Sequence, residues 1–247
     1  MTSVFDVEGF KRLQSVCKKA SCLVAFAFVL LLVPAPQSVR STVHVDLVLV
    51  LALDVSGSVD GQEYDLQTKG LAAAFRSPKI LKAIAQGRRK QIAVVGVQWA
   101  GFEKQTVVVP WTIIKDQESA EWFAGQLGSM QRRYLNSETD LSGVIDFATG
   151  VALSAPMAAA RRVIDISGDG MDNVTYTTLA ARDRALRAGM TINGLAILNE
   201  TPELDKYYDY NIIGGPEAFV IRARDYEDYA DAILRKLLRE INLRFLT

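Results

Sequence analysis

Apolar, β-branched runs alternate with helical patterns from residue 43 onward, and this alternation constrains the fold more than any other feature. The run at residues 43–53 is almost continuously apolar, which is typical of a strand buried on both faces of a parallel sheet. Further strand-like runs lie at residues 92–99, 106–109, 162–167, 191–198 and 218–221. The segments between them repeat apolar residues at helical spacing, most clearly at residues 226–241. We predict one doubly wound α/β domain over residues 43–246, with a mostly parallel six-stranded sheet and helices on both faces.

Charge and cysteine content exclude several function classes. Basic and acidic residues number 28 each, so the net charge is zero and no basic excess indicates a nucleic-acid partner. His44 is the single histidine, which excludes sites built on several histidines. Cys17 and Cys22 form no C-x-x-C pair, so a zinc ribbon and a dithiol redox motif are excluded as well.

The N-terminal segment has the features of a secretory signal. Two lysines precede an unbroken apolar run at residues 22–33, and Pro34 follows it. Twelve helical residues span roughly 18 Å, which is shorter than a hydrocarbon core of about 30 Å. We predict a signal peptide over residues 1–35, with cleavage near Ala35, and an exported protein that is periplasmic or secreted. The alternatives are an uncleaved membrane anchor, which would be the chain's only membrane contact, and a buried helix.

Polar residues follow the predicted strands where ligands bind in such sheets. Asp54, Ser56 and Ser58 follow the first strand, and Asp169 follows the fourth in S-G-D-G. Thr139 lies in the loop before a predicted helix. Because the carboxyl ends of parallel strands meet at one edge, we expect these side chains to lie together. Oxygen ligands suit a hard cation such as Mg²⁺.

These three segments together resemble the von Willebrand factor type A domain and its metal-ion-dependent adhesion site. That family has D-x-S-x-S after the first strand, a threonine in a central loop, and an aspartate after the fourth strand, usually in T-D-G. Gly168 stands here in place of that last motif's threonine. Residues 43–246 also resemble an uncharacterised bacterial branch of the superfamily. The resemblance implies one divalent cation, Mg²⁺ or alternatively Mn²⁺ or Ca²⁺, held by the following five residues: Asp54, Ser56, Ser58, Thr139 and Asp169.

The resemblance also implies how such a site would work. Ser56, Ser58 and Thr139 would ligate the cation directly, whereas Asp54 and Asp169 would act directly or through water. An open coordination position would accept an acidic side chain of a partner protein. Two carboxylates leave the cation with little net charge, so an incoming carboxylate gains a strong electrostatic contact. We therefore expect a monomeric protein-binding module that has no catalytic residues and is not an enzyme.

Two alternatives remain open at this point. The segments D-V-S-G-S at residues 54–58 and G-D-G-M-D-N at residues 168–173 are similar to the D-x-D-G-T and G-D-G-x-x-D motifs of haloacid dehalogenase-type phosphatases. In that family's scheme Asp54 would be the nucleophile and Asp169 with Asp172 would hold Mg²⁺. In that scheme the second aspartate of the first motif is a serine here, and serine cannot do its acid–base work near neutral pH. The other alternative is a metal-free structural domain in which Ser58 or Asp60 only caps the next helix.

Three further features lie near the predicted site. Phe102, in A-G-F-E-K, is predicted at a loop tip on the binding rim. Arg132 and Arg133 precede Thr139 and either steer an acidic partner or form a solvated face. Residues 202–215 contain three tyrosines, and this segment either belongs to the partner surface or covers the sheet.

Overall fold

The computed structural model describes residues 42–175 and 177–242, which form six strands and seven helices. The strands are β1 (Val43–Asp54), β2 (Ile92–Trp99), β3 (Gln105–Ile114), β4 (Met157–Gly168), β5 (Thr191–Ile197) and β6 (Val220–Ala223). The helices are α1 (Gly61–Arg76), α2 (Pro78–Ala85), α3 (Gln117–Ser129), α4 (Leu141–Leu153), α5 (Thr178–Arg187), α6 (Leu204–Asn211) and α7 (Tyr229–Asn242). The predicted signal peptide at residues 1–35 lies outside the described residues.

The six strands form one sheet in the order β3-β2-β1-β4-β5-β6. All neighbouring strands are parallel except β3, which runs antiparallel to β2. Strand β2 pairs with one edge of β1, and β4 pairs with the other edge. The strand order therefore reverses between β1 and β4, and their carboxyl ends form the crevice where ligands bind in such sheets. The predicted doubly wound, mostly parallel six-stranded fold is confirmed.

Helices cover both faces of the sheet, as the sequence predicts. On one face α1, α2, α3 and α7 pack over a core in which the Phe75 and Phe123 rings meet edge to face at 4.9 Å. On the other face α4, α5 and α6 pack over a second core. Burial on both sides explains the apolar run of β1, in which every residue from Leu47 to Asp54 is buried. None of the helices in the described part of the chain has both the length and the apolarity to cross a bilayer.

The edge strand β3 differs from its prediction. The sequence analysis ends this strand before Pro110, whereas β3 continues to Ile114. Proline cannot donate a ladder hydrogen bond and is tolerated on edge strands and at bulges. β3 is an edge strand, and its pairing with β2 shifts register between Val94 and Gly96, beside Pro110. The fourth strand also begins earlier than predicted, at Met157.

Candidate metal centre

The loop after β1 folds back on its own carboxylate. Asp54 and Ser56 are fully buried, and the Ser56 backbone N–H donates to Asp54 Oδ1 at 2.8 Å. Gly57 N–H donates to the Ser137 carbonyl at 2.7 Å. A Cβ at position 57 would lie 3.2 Å from that carbonyl oxygen. Glycine at this position therefore lets the β1 loop approach the loop that carries Thr139.

A chain of hydroxyls connects the ends of β1 and β4. The Ser56 and Ser58 hydroxyls lie 3.3 Å apart, and Ser58 Oγ donates to Asp169 Oδ1 at 2.7 Å. Thr139 lies close to Gly170, the residue that follows Asp169. A Cβ at position 170 would be 3.3 Å from Thr139 Oγ1. The structure thus brings together the five residues that the sequence analysis singles out. That they bind a cation remains a prediction.

Helix capping does not account for Ser58. Asp60 is the N-cap of α1, where its carboxylate accepts from the N–H groups of Gln62 and Glu63. The Glu63 side chain in turn accepts from the Asp60 N–H, which completes a capping box. Because Asp60 caps the helix, the Ser58 side chain faces Asp169 instead.

The two carboxylates of the cluster, Asp54 and Asp169, repel each other electrostatically. Burial, and then the negative charge of Asp169, raise the pKa of Asp54 to about 7. Asp54 Oδ2 is buried and has no hydrogen-bond partner among the described residues. An unpaired buried carboxylate oxygen beside a second carboxylate is costly, and a bound cation would remove this cost. The residues present therefore fit a divalent cation.

The donor chemistry of the cluster indicates the kind of cation. Two carboxylates and three hydroxyls offer only oxygen, which suits hard cations such as Mg²⁺. Among the residues that the structure describes, no group of three or more His, Cys, Asp or Glu side chains is arranged to hold a metal ion.

Two buried tyrosines beside the carboxylates were not predicted. Tyr226 donates from its hydroxyl to Asp169 Oδ2 at 3.0 Å, and Tyr208 on α6 reaches the space beside Gly168. Burial, and then the nearby carboxylate charges, raise the pKa of both tyrosines above their usual range. Both hydroxyls therefore stay protonated and can donate. Two sequence features could have indicated the position of Tyr208: the tyrosine-rich segment 202–215, and the glycine at position 168, which leaves room for a neighbouring side chain.

Arg132 has a role that neither sequence interpretation foresaw. Its guanidinium donates to the carbonyl of Val55 at 3.1 Å and to that of Ser56 at 2.6 Å. It therefore holds the backbone of the D-x-S-x-S loop from the loop before Thr139. Arg133, by contrast, is exposed.

Asn173 ties the Thr139 loop to the loop after β4. Thr139 N–H donates to Asn173 Oδ1 at 2.9 Å, and Asn173 N–H donates to the Thr139 carbonyl at 3.1 Å. This reciprocal pair fixes Thr139 relative to Asp169, four residues before Asn173.

Asp172, which would hold Mg²⁺ with Asp169 in the phosphatase alternative, accepts several hydrogen bonds from its own loop and from two helices. Its Oδ1 accepts from the N–H groups of Val174 and Thr175. Its Oδ2 accepts from the Ser142 N–H and the Thr178 hydroxyl. The carboxylate therefore organises its own loop and the starts of α4 and α5.

Exposed apolar side chains lie on three loops around the cluster. Phe102 is 62% exposed, as its predicted position at a loop tip requires, and Leu135 is 67% exposed. Met171, two residues after Asp169, is 39% exposed. We call Phe102, Leu135 and Met171 the apolar rim.

Comparison with known proteins identifies one family and a set of similar structures. A protein-family model described as "Protein of unknown function (DUF1194)" matches residues 44–245. None of the curated proteins matches the chain. Among solved structures, proximal thread matrix protein 1 from the mussel byssus aligns with a TM-score of 0.60 at 12% identity, over 81% of this chain and 49% of that one.

Two further structures support the same fold. Another structure of the mussel protein, with a zinc-occupied metal-ion-dependent adhesion site motif, aligns with a TM-score of 0.57 at 12% identity, over 81% of this chain and 49% of that one. A von Willebrand factor type A protein from Catenulispora acidiphila aligns with a TM-score of 0.53 at 21% identity, over 80% and 43% of the two chains. This chain spans less than half the length of these proteins, and at such identities the likeness establishes the fold alone.

Proposed function

Because this chain belongs to the DUF1194 family and has the von Willebrand factor type A fold, we propose that it is a protein-binding module, not an enzyme, that engages a partner through a divalent cation. The observation that carries the proposal is Asp54 Oδ2, a buried carboxylate oxygen without a hydrogen-bond partner among the described residues. It lies in one cluster with Asp169 and the hydroxyls of Ser56 and Ser58. A divalent cation would balance both carboxylates.

Each residue of the cluster has a defined part in this proposal. Ser56, Ser58 and Thr139 would ligate the cation through their hydroxyls, and Asp54 and Asp169 would balance its charge directly or through water. The cation is Mg²⁺ by donor chemistry, with Mn²⁺ and Ca²⁺ as alternatives. When bound, it would supply the positive charge at which an acidic side chain of the partner docks.

The apolar rim favours a partner whose acidic residue is flanked by apolar side chains. Phe102, Leu135 and Met171 belong to loops that contact one another: Asp140 N–H donates to the Ala100 carbonyl, and Asn173 pairs with Thr139. Aromatic side chains and Met are enriched in protein interfaces. The rim would bury apolar surface of the partner around the carboxylate that reaches the cation.

Thermal unfolding with and without Mg²⁺ tests the metal site. At a hundredfold excess over the dissociation constant, a ligand that binds only the folded state stabilises it by about 2.7 kcal/mol. Asp169→Ala removes a balancing charge and should abolish this gain, whereas Ser56→Ala removes a neutral ligand and should reduce it less. Asp209→Ala, an exposed aspartate on α6, should retain the full gain. A wild-type protein that Mg²⁺ does not stabilise would overturn the proposal.

A second experiment tests the bridging role of the cation. The wild-type protein is used to capture partners from envelope extract in Mg²⁺ or in EDTA, with Asp169→Ala in parallel. We expect a partner that is lost both in EDTA and with the variant. A set of captured proteins that neither change alters would contradict binding through the cation.

A further inference from the structure

Gly168, the last residue of β4, leaves a small space on which two polar atoms converge. A Cβ at this position would lie 2.7 Å from the Tyr208 hydroxyl oxygen and 2.8 Å from Asp54 Oδ2. Any side chain larger than hydrogen would collide with both atoms. The space beside Gly168 is therefore enclosed by a tyrosine hydroxyl on one side and a carboxylate oxygen on the other.

Both atoms are buried polar groups without a hydrogen bond to any residue that the structure describes. Tyr208 and Asp54 are fully buried, and the Tyr208 hydroxyl and Asp54 Oδ2 have no hydrogen-bond partner among the described residues. Buried polar atoms in proteins are almost always hydrogen-bonded, through water if not directly. A tyrosine hydroxyl can donate and a carboxylate oxygen accepts. The two unpartnered groups are thus complementary and face the same space.

The second carboxylate of the cluster already shows this kind of arrangement. Tyr226 donates to Asp169 Oδ2 at 3.0 Å, while Ser58 donates to Oδ1 of the same group. Tyr226 packs in the core on the α7 side of the sheet, and Tyr208 packs in the core on the α6 side. One tyrosine therefore reaches the ends of β1 and β4 from each face of the sheet, Tyr208 from α6 and Tyr226 from the loop before α7.

We propose that the Tyr208 hydroxyl donates a hydrogen bond to one water molecule, which in turn donates to Asp54 Oδ2, and so positions this carboxylate for the divalent cation. The metal-binding part of this inference rests on the function proposed above. Tyr208 is a positioning residue and would not touch the cation. Gly168 is required because any larger residue would fill the space in which the two groups meet.

Mn²⁺ binding tests the positioning role. Mn²⁺ is titrated into the wild type and into Tyr208→Phe, and free Mn²⁺ is counted by electron paramagnetic resonance. Removing an outer partner of a metal ligand typically weakens metal affinity by roughly 10- to 100-fold, and we expect a loss in this range. Tyr210→Phe is the matched control, because Tyr210 lies on the same helix with 73% exposure. Wild-type affinity in Tyr208→Phe would overturn the positioning role.

A double-mutant cycle in EDTA tests the hydrogen bond without any cation. The unfolding free energies of wild type, Asp54→Ala, Tyr208→Phe and the double variant are compared. Paired groups give non-additive changes, and unpaired groups give additive ones. Additive changes would refute the hydrogen bond. If wild type binds no Mn²⁺, the proposed function and the positioning role fail together, whereas the cycle still decides whether Tyr208 and Asp54 are paired.

Discussion

The ammonium group of Lys236 on α7 lies 2.6 Å from Asp165 Oδ1 on β4, and both residues are buried in the core. Glu240, one turn later on α7, places Oε1 2.8 Å from the same ammonium. Asn193 on β5 donates to this Glu240 oxygen at 2.9 Å. One cation is therefore shared between two buried carboxylates, and α7 is attached to the centre of the sheet by charge as well as by apolar packing.

Replacing Lys236 with Met should destabilise the protein strongly. The change leaves Asp165 and Glu240 buried without their cation, and removing one partner of a buried ion pair costs about 3–5 kcal/mol. Urea unfolding measures the change in unfolding free energy. Lys69→Met is the matched control, because Lys69 forms an exposed pair with Asp65 on α1, and such pairs contribute about 0.3–0.5 kcal/mol. A Lys236 variant no less stable than this control would contradict the buried pairing.

Glu240 should make stability depend on pH. Burial raises its pKa to about 7 from an ordinary 4.5, although the charge of Lys236 opposes the shift. The folded state thus binds the proton more tightly than the unfolded state. This contribution to stability is full below pH 4.5 and is lost as pH rises through 7, by at most about 1.4 kcal/mol per pH unit.

Glu240→Gln should remove that dependence, since glutamine resembles the protonated acid. We expect the difference in unfolding free energy between Glu240→Gln and wild type to grow in favour of the variant from pH 4.5 to 7. Above pH 7 this difference should stay nearly constant. Glu121→Gln, which alters an exposed partner of Arg76, should follow the wild type across the same range. Parallel curves for wild type and Glu240→Gln would show that Glu240 does not titrate in this interval.

The sequence predicts the sheet well because strand burial leaves a local signal. The run of β1 is apolar since both faces of this strand are covered. The polar residues at the ends of β1 and β4 mark the place where the strand order reverses. The α7 stripe is predicted as well, but Lys236 and Glu240 on the same face are not. A charged residue on a helix normally faces solvent, and only its partners on neighbouring strands make burial possible.

Long-range pairs account for most of what the sequence does not reveal about the site. Tyr208, Tyr226 and Arg132 lie far in sequence from the groups they approach, and no local spacing connects them. Helix α5 illustrates a local failure. Hydrophobicity alone favours burial of Leu179 on this helix, yet Leu179 is 40% exposed, whereas Ala181 and Ala185 are buried. Small residues pack there because α5 lies close to α4, and hydrophobicity alone does not show this.

Arg132 should control metal binding without touching the cation. Its guanidinium nitrogen Nη2 donates to the carbonyls of both Val55 and Ser56, and a lysine side chain would place its ammonium one bond nearer the main chain than Nη2. Arg132→Lys should lower Mg²⁺ affinity by roughly tenfold, in line with other outer contacts of metal sites. Isothermal titration of Mg²⁺ measures it, with the exposed Arg133→Lys as the matched control. Equal affinities for the two variants would show that the loop holds its shape without Arg132.

Export is predicted from residues 1–35 and can be tested on the protein isolated from cells. The apolar run at residues 22–33 is too short to span a bilayer and ends at Pro34, as a signal sequence does. We expect the mature chain to begin near residue 36, as measured by N-terminal sequencing of the exported protein. Ala27→Arg places a charge in the middle of the run and should keep the chain uncleaved inside the cell. A full-length wild-type chain in the membrane fraction would instead identify the segment as an anchor, and a full-length chain in the cytoplasm would contradict export.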